Sequence, residues 1–230
     1  MREMVTLTIN GQQVQGVEGS SILEVAREHG IEIPTLCYHE ALEPYGSCRL
    51  CVVELKTPRG PRLVASCVYP AEEGAVVETD SEMVRRSRRM TAELLLAAAP
   101  NARVIQELAA RMGVEKPRVS LSDNNCIVCG LCVRACREIV GANAISLVNR
   151  GFTKEVSPPF EIGSNACVGC TTCVFLCPTG AIKLEEVLAN RSVHRWDSDF
   201  EAVACKICGD HYLAPELVVE VEMALSEESV

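Results

Sequence analysis

The sequence predicts an α+β protein built from small cysteine-stapled units in series, and three features point to it. Apolar and polar residues alternate on both sides of Asn10-Gly11, and a capped helical segment follows. The chain has 14 Cys but only 4 Phe, 4 Tyr and 1 Trp, so the aromatic side chains that dominate ordinary cores are scarce. Eight of the cysteines fall in two runs of identical spacing. Small domains with thin cores commonly rely on such staples.

The elements follow in order. "VTLTINGQQVQGV" reads as a β-hairpin, because Asn-Gly suits the left-handed positions of a two-residue type I′ turn. "SSILEVAREHG" reads as a helix with Ser21 and Glu24 as capping box, Ile22, Val25 and Ala26 as apolar face and Gly30 as stop. A cysteine-bearing loop comes next, then strands "CVVEL" and "RLVAS" joined through Pro58 to Pro61, and a last strand "AVVET". From Ser81 to Val114 the pattern is helical in two segments broken at Pro100-Asn101. The second carries Val104, Ile105, Leu108, Ala109 and Met112 on one stripe, with Asn101 as cap and Gly113 at the exit. The basic run "RRSRR" (Arg85 to Arg89) lies on the first segment and reads as a solvated face or a docking surface for an acidic partner.

Beyond Asn125 the two cysteine runs appear, each followed by a related tetrapeptide, "NAIS" (Asn143 to Ser146) and "GAIK" (Gly180 to Lys183), so this stretch is an internal duplication. The expected organisation is a first domain over 1–80, a helical connector over 81–118, a duplicated domain over 119–184 and a charged tail over 185–230 containing "CKICGDH".

The net charge of −9 disfavours nucleic acid, which needs a basic footprint. No apolar run approaches the ~20 residues that span a bilayer. Nothing near Met1 resembles a signal peptide, so a cytoplasmic location is expected. In that compartment clustered cysteines bind metal or do redox work and persistent disulfides are rare.

The doubled C-x2-C-x2-C-x3-C is the run of bacterial two-cluster ferredoxins, in which the fourth cysteine of each run ligates the other cluster. On that pattern Cys126, Cys129, Cys132 and Cys177 hold one 4Fe–4S cube, and Cys167, Cys170, Cys173 and Cys136 hold the second. Gly130 and Gly169 are expected to let backbone N–H groups approach sulfur. Zinc fits less well, since its sites take four ligands in two pairs. Pro178 follows the second run, whereas Arg137 takes the corresponding place after the first.

Cys37, Cys48, Cys51 and Cys67 form a third set whose spacing is not the plant-type C-x4-C-x2-C. The long first interval resembles the 2Fe–2S domain at the start of the large iron–sulfur subunit of NADH dehydrogenases and NAD-linked hydrogenases, and the element order resembles a β-grasp ferredoxin. The set is therefore expected to hold one 2Fe–2S cluster, with zinc as the alternative. His39 reads as a loop residue, because four cysteines complete the site and Rieske centres need two histidines. His29 reads as a helix-end residue in a favourable dipole contact.

The stretches "CIVCGLCVRACREIVGANAISLVNRGF" and "CVGCTTCVFLCPTGAI", with the first 80 residues, resemble the N-terminal cluster region of NAD-linked iron-only hydrogenase and NAD-dependent formate dehydrogenase α subunits. Succinate dehydrogenase-type subunits are a weaker match, since their first motif is plant-type. Two departures stand out. "LLLAAAPNARVIQELAARMGV" lies where that family places a histidine and three cysteines for a further cube, and it contains neither. No hydrogenase or molybdopterin domain follows the duplicated region.

The resemblance implies electron transfer without a catalytic residue on this chain. The expected role is the electron-relay iron–sulfur subunit of a cytoplasmic NAD(P)H-linked multisubunit oxidoreductase, an electron-bifurcating one included. Its partners would be a flavin-containing NAD(P)H-binding subunit and a further redox subunit or ferredoxin. No Walker or dinucleotide glycine pattern is present, so neither flavin nor nicotinamide is expected on the chain itself. The alternatives are a free-standing ferredoxin-like carrier and a redox sensor switched by Cys205 and Cys208. That pair, with His211 and a possible fourth ligand in His194, also suits zinc. A site shared with a partner chain, a dithiol pair or a packed knuckle are its other readings.

Overall fold

The computed structural model describes residues 3–121, 124–158, 167, 170–182, 203–204 and 212–213. The chain divides into two compact units, residues 1–129 and 130–230.

In the first unit, β1 (Met4–Ile9) and β2 (Gln12–Val17) form the antiparallel hairpin, with Met4 opposite Val17 and Ile9 opposite Gln12. Asn10 and Gly11 sit at φ 51° and 81°, the left-handed pair that a type I′ turn requires. Helix α1 (Ile22–Glu28) begins with the expected capping box: the Ser21 oxygen accepts the Glu24 N–H, and Glu24 accepts the Ser21 N–H at 2.7 Å. His29 is its C-cap and meets the Gln15 carbonyl at 2.8 Å through Nε2, so a hydrogen bond across to β2 adds to the helix-end setting.

Strands β3 (Val52–Thr57) and β4 (Gly60–Ala65) form a second hairpin, and β5 (Val76–Glu78) inserts between the two hairpins. The sheet order is β2-β1-β5-β3-β4, with β1 and β5 parallel and every other pair antiparallel. Apolar positions on one sheet face (Leu7, Ile9, Val14, Val53, Leu55, Val77) pack with Ile22, Val25 and Ala26 of α1 into one core. Gly16 lets α1 lie this close to β2, because a Cβ there would overlap the Val25 side chain.

Helices α2 (Glu82–Ala98) and α3 (Arg103–Arg111) form the expected pair within the same unit, and Ser81 caps α2 by accepting the Val84 N–H. Two expectations fail here. The cap of α3 is Ala102, with no side-chain cap bond, so Asn101 does not cap it. The basic run is not wholly solvated: Arg88 is 8% exposed, because it falls on the helix stripe that also buries Val84 and Ala92.

The second unit is built from shorter pieces. Helix α4 (Leu131–Glu138) is followed by the two-stranded β6 (Ser146–Val148) and β7 (Glu155–Ser157), with a 3₁₀ turn at Gly151–Thr153 between them. Helix α5 (Thr172–Phe175) has one turn. In the tail, β8 (Val203–Ala204) pairs with β9 (Tyr212–Leu213). Among the described residues no helix is long and apolar enough to cross a membrane.

Candidate cluster sites

Cys37, Cys48, Cys51 and Cys67 are brought together in the first unit and all are buried; Cys51 and Cys67 belong to the hydrophobic core itself. The long loop after α1 supplies Cys37 and Cys48, Cys51 leads into β3, and Cys67 follows β4. β3 and β4 pair through Val52 and Ala65, so the ladder sets Cys51 and Cys67 side by side, their sulfurs 3.3 Å apart. The Cys48 N–H donates to the Cys37 sulfur at 3.3 Å.

The four thiols form two proton-sharing pairs. Cys48 is pulled down to about 6, chiefly by the hydrogen bond from Cys37 and then by backbone N–H groups, against the opposing effect of burial. Cys37 rises in turn, through that same hydrogen bond and then its burial. Cys51 is held at about 7, first by the bond from Cys67, with help from Ser66; Cys67 is pushed up. Each pair thus has one thiol that ionises at or below neutral pH, and metal ligation needs thiolates. His39 stays in its loop, where Nδ1 accepts the Ala41 N–H at 3.2 Å.

In the second unit Cys136, Cys167, Cys170 and Cys173 line one cavity together with Val140, Ile145 and Thr171. Burial pushes the Cys173 thiol up to about 12, with the neighbouring thiols of Cys170, Cys167 and Cys136 adding to the effect. A buried thiol whose ionisation is opposed by its surroundings and by three neighbouring sulfurs suits a site that cationic metal stabilises.

The duplication survives as geometry. The Ala144 N–H donates to the Cys136 sulfur at 3.3 Å, and the Ala181 N–H donates to the Cys177 sulfur at 3.2 Å. Both alanines follow a left-handed residue, Asn143 (φ 51°) or Gly180 (φ 61°), and precede a buried isoleucine, Ile145 or Ile182. The repeated "NAIS" and "GAIK" were the sequence signal for these N–H···S bonds. Gly130, at φ 75°, is the left-handed N-cap of α4, and Thr171 at φ 56° does the same for α5. Gly169 lies outside the described residues.

Of the remaining predicted ligands, Cys126 lies in a loop where its N–H donates to Asn124 Oδ1 at 3.0 Å, and Cys129 and Cys132 are buried. Cys177 also approaches Thr179 Oγ1 at 3.6 Å. The expected set Cys205, Cys208, His211 and His194 lies outside the described residues. Among the described residues no three His, Cys, Asp or Glu converge as a single metal ion requires.

Comparison with known proteins agrees with both regions. Residues 2–82 match a 2Fe-2S iron-sulfur cluster binding domain, and residues 125–181 match a 4Fe-4S dicluster domain. The NADP-reducing hydrogenase subunit HndD of Solidesulfovibrio fructosivorans is 37% identical over 80% of this chain and 37% of its own length. The mitochondrial NADH-ubiquinone oxidoreductase 78 kDa subunit of Candida albicans is 32% identical over 77% of the chain and 28% of its own. NADPH-Fe(3+) oxidoreductase subunit alpha of Geobacter sulfurreducens is 34% identical over 78% and 24%. The chain therefore spans between 24% and 37% of the length of these relatives. A crystal structure of an NAD+-reducing NiFe-hydrogenase in the H2-reduced state aligns with a TM-score of 0.59 at 33% identity, over 67% of this chain and 74% of that one.

Proposed function

We propose that this chain, which belongs to the family of iron–sulfur subunits of NADH-quinone oxidoreductases and NAD(P)-linked hydrogenases and matches their N-terminal cluster region, relays single electrons between a flavin-bearing NAD(P)H-binding subunit and a second redox subunit or ferredoxin. The observation that carries this is the joining of a 2Fe–2S domain and a 4Fe–4S dicluster domain on one chain, each with its cysteines grouped.

In this reading Cys37, Cys48, Cys51 and Cys67 hold the 2Fe–2S cluster. Four buried thiols in two pairs suit two irons that each take two thiolates. Cys167, Cys170, Cys173 and Cys136 hold one cube, supported by the cavity they share. Cys126, Cys129, Cys132 and Cys177 hold the other, supported by their spacing. When bound, each cluster accepts and passes on one electron at a time. The protein's own part is to bury the thiolates, exclude water and aim N–H groups at sulfur, which sets the potential. The backbone of Cys48, Ala144 and Ala181 does this at three of the ligands.

The tail from residue 185 belongs to docking: Cys205, Cys208 and His211 are surplus to twelve cluster cysteines and fit a zinc staple. A cytoplasmic complex is the setting that clustered reduced cysteines favour.

The experiment is cluster reduction by NADH, followed by electron paramagnetic resonance (EPR). The purified chain should carry about ten irons and stay oxidised with NADH alone, then become reduced when the flavin-bearing subunit is added. Reduction by NADH without any flavoprotein, or no reduction with it, contradicts the relay. About fourteen irons would show that a further cube is present.

A further inference from the structure

Among the described residues of the first unit, Arg88 stands out as the buried cation. It projects from α2, is 8% exposed, and reaches into the loop that carries Cys51. Its Nε donates to the Leu50 carbonyl at 3.0 Å and its Nη2 to the Val52 carbonyl at 2.7 Å. The carbonyl between them, that of Cys51, accepts the Ser66 hydroxyl at 2.7 Å and the Ser66 N–H at 3.1 Å. Three consecutive carbonyls around one cysteine are thus held by side chains that are themselves buried.

These acceptors take two of the guanidinium's N–H groups but bring no net negative charge. Burying a cation is costly unless an anion offsets it. The negative groups acting on Arg88 are Asp80 and Cys51. Asp80 is exposed and already paired with Arg85 at 2.9 Å. The complement that remains is the sulfur of Cys51 and the anionic cluster it would hold.

We infer that Arg88 is a positioning residue for the 2Fe–2S cluster: its fork fixes the Leu50–Val52 backbone that aims Cys51, and its charge raises the cluster's reduction potential. This rests on the assignment of Cys37, Cys48, Cys51 and Cys67 as the cluster's ligands. A cluster of thiolates and sulfides is anionic and gains one more negative charge when it takes an electron. A fixed cation therefore favours the reduced form. Guanidinium does so at every working pH, because it stays protonated.

The test is an anaerobic, EPR-monitored titration of the full chain with dithionite, read at a temperature where the 2Fe–2S signal is separate from the cubes. In Arg88→Gln the reduction equilibrium should fall about tenfold, which is about 59 mV lower for one electron. Arg88→Lys keeps the charge and loses the fork; it should stay within about threefold of wild type and load less cluster. Arg85→Gln removes an exposed charge of the same helix and should change neither quantity. A wild-type potential in loaded Arg88→Gln overturns the inference, as does an equal fall in Arg88→Lys or Arg85→Gln. If Arg88→Gln loads no cluster, Arg88→Met, which keeps the apolar stem, is titrated in its place under the same criteria. Should both neutral variants stay empty, a loaded Arg88→Lys with near-wild-type potential supports the inference, and an empty one overturns it. Absence of a 2Fe–2S signal from the wild-type chain would instead refute the ligand assignment, so the two failures are distinguishable.

Discussion

The two cysteine regions solve the same problem in opposite ways. In the first unit the thiols are embedded in a finished fold: five strands and a helix surround them, and Cys51 and Cys67 are core residues. In the second, Cys132 is buried but Cys136, Cys167, Cys170, Cys173 and Cys177 are only partly covered. Cys132, Cys136 and Cys173 sit on helices of eight and four residues, the others lie outside them, and the unit's strands β6 and β7 have three residues each. Helices that short are marginal without tertiary support, and so is an isolated strand pair. The first site is therefore built by the protein and filled by its cluster. On the proposed cluster assignment, the second is expected to need its clusters in order to be built at all, as small metal-stapled domains do.

The sharpest way to break this contrast is to remove one ligand from each region. Cys177→Ala should lose about four irons, destroy the cube of Cys126, Cys129 and Cys132, and lower the circular dichroism contributed by α4 and α5. Cys51→Ser should lose about two irons and leave the five-stranded sheet intact. If Cys177→Ala instead affects only the cube of Cys167, Cys170 and Cys173, the crossed ligation is wrong.

A packing change should act on the first region alone. Gly16→Ala places a methyl group into Val25 at the α1–β2 contact, and overpacking of this kind costs about 1–3 kcal/mol. Denaturant unfolding should shift by that amount, with the cube signals unchanged.

The thiols offer a pH contrast of smaller size. Cys48 at about 6 and Cys51 at about 7 supply thiolates at neutral pH, whereas Cys173 at about 12 does not. The first ligation step on the apo-protein, which needs one thiolate, should gain little between pH 7 and pH 9 at the 2Fe–2S site, where Cys37 and Cys67 lose their protons only as metal binds, and more at the cube of Cys173. Parallel pH dependence of the two signals would contradict the assignment.

How much of this was legible in the sequence differs between the regions as well. Local rules sufficed for the Asn10-Gly11 turn, the Ser21–Glu24 box and the break at Pro100, since each depends on neighbours in the chain. The grouping of Cys37, Cys48, Cys51 and Cys67, and of Cys136 with Cys167, Cys170 and Cys173, was legible because ligand spacing encodes cluster geometry. Arg88 was misread within "RRSRR" because its burial depends on β3 and the loop before it, some 36 to 38 residues away. Thr171 in a left-handed N-cap was not legible either: a β-branched residue is disfavoured there, and only tertiary context imposes it.

The smallest expected effect lies outside both sites. Arg118 holds the Glu93 carboxylate at about 2, below its ordinary 4.5, through side-chain and backbone hydrogen bonds. Because the folded value is the lower one, this contribution is complete above about pH 4.5 and fades as pH falls toward 2. Glu93→Gln should therefore lower stability slightly at neutral pH, where the contribution is whole, and change nothing below about pH 2, which flattens the acid limb.

The contrast itself is tested most directly by hydrogen exchange on the full chain with and without its clusters. After chelation of iron, amides of β1, β3 and β5 should keep most of their protection, while those of α4 and α5 should exchange at close to unfolded rates. Equal loss in both units, or equal retention, would contradict the claim that one site is made by the fold and the other by its metal.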